Sequence, residues 1–68
     1  MTELFANISD DVRQKADIIW KITLAQPHPL LAAKFLNYVT EYYRHKWTEE
    51  EVEFLQFYIQ TQMEMMNK

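Results

Sequence analysis

Glu41 and His45 stand four residues apart, one turn of a helix, where a carboxylate can orient an imidazole or exchange a proton with it. No other titratable pair in the chain has a spacing so suited to acid–base work. His28 lies too far away in sequence to be assigned to the same site. The two histidines also lack the spacing by which one helix offers two imidazoles to a metal. A surface ion pair is therefore the expected role of Glu41 and His45. Ser9, the single serine, has no histidine near it and stands directly before Asp10 and Asp11, the place of a helix cap rather than of a nucleophile. Asp10 with Asp11, and Glu49 to Glu51 with Glu53, fall where helix starts favour negative charge. Nothing in their placement holds one carboxyl high and another low, as an acid–base pair requires. The chain is read as having no catalytic residue, no metal ligand and no cofactor.

Arg44, His45 and Lys46 form the one basic cluster, with Lys34 a candidate neighbour. Small three-helix domains often bind DNA, but here the net charge is −3 and the helix that would enter the groove opens with Glu49, Glu50, Glu51 and Glu53. Those carboxylates would meet phosphates head-on. Three or four basic contacts support only weak, salt-sensitive binding. A dimeric nucleic-acid-associated regulatory factor using Lys34, Arg44 and Lys46 is accordingly the alternative reading.

Composition narrows the field further. The 68 residues include no glycine and no cysteine, which removes phosphate-cradling loops, nucleophile elbows, disulfides and thiolate metal sites together. Two-residue hairpins lose their usual turn residues as well. No stretch approaches the ~18 apolar residues of a membrane span. Residues 1–11 carry Glu3, Asp10 and Asp11 but no basic side chain, unlike a secretory leader, so a cytoplasmic protein is expected. In a chain this short, apolar burial and ordering entropy come close to cancelling, which calls for a very regular core or for association.

The positioning elements follow from periodicity and caps. Three helices are predicted in one domain over residues 1–68, at about 9–26, 29–45 and 48–66. Thr2 to Ala6 can form an extra N-terminal turn, with Leu4, Phe5 and Ile8 pinning it to the core. Ser9 caps the first helix. Pro27 and Pro29 stop it and start the second, proline being well suited to the first helical position. Thr48 with Glu51 has the spacing of a capping box, and Trp47 with Val52 that of a hydrophobic staple. The connection at 45–47 is short enough to hold the second and third helices side by side.

On a 100° wheel all three helices carry more apolar surface than such a bundle needs. The first has Val12, Ala16, Ile19, Trp20 and Thr23 on its main face, and Ile18, Ile22 and Ala25 on another. The second has Leu31, Phe35, Tyr38 and Tyr42 on one side and Ala32, Leu36, Val39 and Tyr43 on the other. The third has Val52, Leu55, Ile59, Met63 and Met66 in one stripe, Phe54, Tyr58 and Met65 in a second, and Phe57 among Glu53, Gln60 and Glu64. Contiguous exposed apolar patches mark interfaces. The expected surface is Phe54, Phe57, Tyr58, Met65, Tyr38, Tyr42, Ile18 and Ile22. The expected protein is all-α, dimerises through its second and third helices, and acts without catalysis. It is a protein-interaction module, regulator or inhibitor, that covers a site on a larger protein. A structural subunit of a larger assembly has the same signature.

Overall fold

The computed structural model describes residues 5–66, and among these the protein is all-α, a bundle of three helices. The first, α1, spans Asp10–Leu24, with the Ser9 hydroxyl accepting the Val12 amide at 3.3 Å. It ends earlier than predicted, at the Ala25 cap, because Gln26 precedes proline and is pushed out of the helical region. The second, α2, spans Pro29–Arg44, and its cap is His28, whose Nδ1 accepts the Leu30 amide at 3.1 Å. The third, α3, spans Glu49–Met66. Its predicted capping box is present in both directions. The Thr48 amide donates to Glu51 Oε1 at 2.8 Å, and the Glu51 amide donates to Thr48 Oγ1 at 3.2 Å.

All three helix pairs are in contact. Val12, Ala16, Ile19 and Trp20 of α1 meet Val39 of α2 and Phe54, Leu55 and Ile59 of α3 in one core. Thr23, the one buried polar side chain among the described residues, donates to the Ile19 carbonyl at 2.8 Å, so its hydroxyl carries no unmet bond. Of the two apolar stripes on α2, the one with Leu36, Val39 and Tyr43 faces inward. Leu31, Tyr38 and Tyr42 remain exposed. Trp47 is half-buried and stacks on Tyr43 with ring centroids 4.0 Å apart.

The chain before α1 closes one side of this core. Residues 5–7 form a turn, Ile8 is buried, and Phe5 packs on the core with φ 63°, a left-handed conformation that a bulky side chain seldom adopts. Arg13 fastens the turn, donating from Nη2 to the Phe5 carbonyl at 3.0 Å and from Nε to the Ile8 carbonyl at 3.3 Å. Thr2, Glu3 and Leu4, assigned above to the same turn, lie outside the described residues.

Phe54 requires a correction. Expected at an interface, it is only 6% exposed and belongs to the core. The Phe5 ring meets it edge-on at 5.6 Å and the Arg13 guanidinium sits 5.3 Å from its ring centre. A wheel drawn on the helices alone omits the turn that covers it.

The Cα envelope measures 37 × 31 × 15 Å, a slab rather than a sphere. Its accessible surface is 5288 Å², against about 4,600 Å² for a compact monomer of this mass.

Candidate interaction surface

One of two coherent apolar surfaces runs between α1 and α2. Ile18, Ile22, Phe35, Tyr38, Tyr42 and Tyr43 line an open groove of about 440 Å³ with Lys15 at its edge. Ile18 is 54% exposed and Tyr38 71%, the extent expected of side chains that the bundle does not use. The groove exists because the α1 face at 18 and 22 lies a third of a turn from the buried face at 12, 16 and 19. Tyr38 likewise projects from α2 away from Val39. Four of the eight residues assigned to an interface from sequence, Ile18, Ile22, Tyr38 and Tyr42, are thereby brought together.

Charged groups frame this groove. Lys15 Nζ holds Asp11 Oδ2 at 2.7 Å, and that hydrogen bond raises the lysine above its ordinary value. Lys46 Nζ lies 5.0 Å over the Tyr42 ring, within cation–π range. Lys34 stands one turn before Tyr38 on the same side of α2 and is exposed.

The other four assigned residues do not join them. Phe54 is in the core. Tyr58 is half-buried, and its hydroxyl donates to Asp17 Oδ1 at 3.0 Å, so the expectation that it lacked an intrachain partner is also corrected. Phe57 is 51% exposed, but its ring lies 5.4 Å from Phe5. Met65 is exposed near the end of α3. The groove between α2 and α3 is lined mainly by polar groups, among them Asn37, Thr40, Glu41, Arg44, Gln56 and Gln60.

Sequence reasoning missed a second hollow, where Trp20, Leu24, Pro29, Leu36, Met63 and Met66 meet at the far end of α3. Met63 and Met66 continue the buried stripe of α3 but stay exposed, at 46% and 62%. No aspartate, glutamate, lysine or arginine lines this hollow.

The titratable groups are dispersed. Glu41 does not pair with His45 as expected; its Oε1 accepts from Arg44 Nε at 3.2 Å, while His45 closes α2 through its backbone amide. Arg44 faces the α2–α3 side and Lys46 the α1–α2 side, so the basic cluster is split between two surfaces. Among the described residues there is no group of three metal-binding side chains, and no helix is long and apolar enough to cross a membrane.

Comparison with protein-family models, with curated proteins and with solved structures yields no match to this chain.

Proposed function

We propose that this protein is a small non-enzymatic interaction module, a regulator or inhibitor that acts by covering a site on a larger protein. The observation that carries the reading is the gathering of Ile18, Ile22, Tyr38 and Tyr42 around one groove between α1 and α2. Tyrosine and large aliphatic side chains left open in one contiguous patch are what an interface centre requires. A slab of 68 residues that exposes such a patch can act chiefly by occlusion or bridging. Self-association through α2 and α3 is part of the proposal. The hollow of Leu36, Met63 and Met66, lined by no aspartate, glutamate, lysine or arginine, gives it an apolar surface, and two-fold dimers are the commonest closed assembly.

Sedimentation of the fluorescently labelled chain in extract of its native cell tests the proposal. The wild type sediments with a larger species, and a variant carrying Ile18→Ser and Tyr38→Ser, confirmed helical, does not. If both sediment alone as the small chain or its dimer, the occlusion reading fails.

A further inference from the structure

Two facing helices that leave an apolar channel between them accept a third helix most readily, its own apolar edge seated at i, i+3 or i+4, and i+7. The charges around the α1–α2 groove define what that helix must carry. Two carboxylates on the helices that form the groove are already engaged, Asp11 by Lys15 at 2.7 Å and Glu41 by Arg44 at 3.2 Å. Lys34 and Lys46 hold no carboxylate within ion-pair distance among the described residues, and they flank Tyr38 and Tyr42 on the α2 ridge. The rim therefore carries surplus positive charge on a protein whose net charge is −3. The negative surplus lies on α3, with five glutamates and no lysine or arginine.

Resting on the reading above, we propose that the occupant of the α1–α2 groove is an acidic amphipathic helix of a partner protein. Its apolar edge lies against Ile18, Ile22 and Tyr38, and its carboxylates reach Lys34 and Lys46. A second copy placed on this groove by two-fold symmetry would set the same surplus cations against each other and gain less. Lys34 and Tyr42, whose ring Lys46 Nζ covers at 5.0 Å, are eight positions apart on α2, or roughly 12 Å at the helical rise. The bound helix accordingly needs acidic residues near both ends of a segment of two to three turns.

The probes are three synthetic helices of about 18 residues with one identical leucine edge and flanks of glutamate, glutamine or lysine. Each is titrated against the full-length protein, with binding read by fluorescence anisotropy. The glutamate helix is expected to bind about tenfold or more tightly than the lysine helix at low salt, with the difference shrinking as salt rises. Lys34→Glu combined with Lys46→Glu reverses the preference, and Ile18→Ser with Tyr38→Ser abolishes binding of all three. Equal binding of the three peptides, lost in the Ile18 and Tyr38 variant, overturns the acidic partner and leaves the groove as an interaction site. Failure of every peptide to bind, with that variant changing the sedimentation of the isolated protein, makes a second copy the occupant and overturns the proposal. Failure with unchanged sedimentation overturns the interaction reading as well.

Discussion

The Tyr58 hydroxyl donates to Asp17 Oδ1 at 3.0 Å and so joins α3 to α1, the single side-chain hydrogen bond between helices among the described residues. Asp17 also receives Lys21 at 2.9 Å. Lys21 first, and then Tyr58, hold its carboxyl below the ordinary value, while burial first, and then Asp17, push the Tyr58 phenol up.

The contact sets a pH window. A depressed carboxyl contributes stability above its unfolded value and loses it as pH falls through the folded one. A raised phenol contributes below its unfolded value and loses it as pH rises through the folded one. Tyr58→Phe should therefore lower the melting temperature modestly between the carboxylate and phenol ranges and converge on wild type outside them. Thermal melts across pH check this, and a deficit independent of pH would assign the loss to packing alone.

Phe54 and Phe57 make a contrast three residues apart on α3. Phe54→Ala empties a core site and should cost about 3–5 kcal/mol, enough to unfold so small a domain. Phe57→Ala removes only a ring contact with Phe5, about 0.5–1.5 kcal/mol. Denaturant titration of both variants reads the difference, and equal losses would contradict the cover provided by the N-terminal turn.

That turn hangs on Arg13. Arg13→Ala should release residues 5–8 and uncover Phe54, costing about 1–2 kcal/mol for the lost bonds to two carbonyls. Amide exchange at Ile8, whose amide bonds to the Phe5 carbonyl at 3.2 Å, should quicken more than exchange in the middle of α1. Unchanged exchange at Ile8 would show that packing of Phe5 holds the turn without the arginine.

Thr48→Ala removes one arm of the capping box and should cost about 1 kcal/mol, or roughly 4–8 °C in melting temperature for a domain of this size. Glu51→Gln keeps an acceptor for the Thr48 amide and should cost less. The order of the two melting temperatures is the check.

Much of this architecture is local and so was legible in the chain. Ser9, Pro29 and the Thr48–Glu51 box act within one helical turn, and the inward stripes at 12, 16 and 19 and at 52, 55 and 59 follow from period alone. What escaped depends on contacts between distant segments. Phe54 is covered by residues 5 and 13, Tyr58 finds Asp17 on another helix, and Met63 and Met66 line a hollow with residues from α1 and α2. His28 was set aside as an isolated histidine, although its position just before Pro29 is that of a cap. The α1–α2 groove was half legible: its side chains were identified, but only the angle between helices places Ile18 beside Tyr38.

The central claim is that the α1–α2 groove faces a larger protein, and photo-crosslinking from Tyr38 in the native cell tests it most directly. A benzophenone amino acid in place of Tyr38 should yield a covalent adduct heavier than twice the 8.3 kDa chain. The same group in place of Gln60, which lines the polar α2–α3 groove, should yield no adduct heavier than a pair of chains. No such heavier adduct from position 38, or equal amounts of it from both positions, would contradict the account.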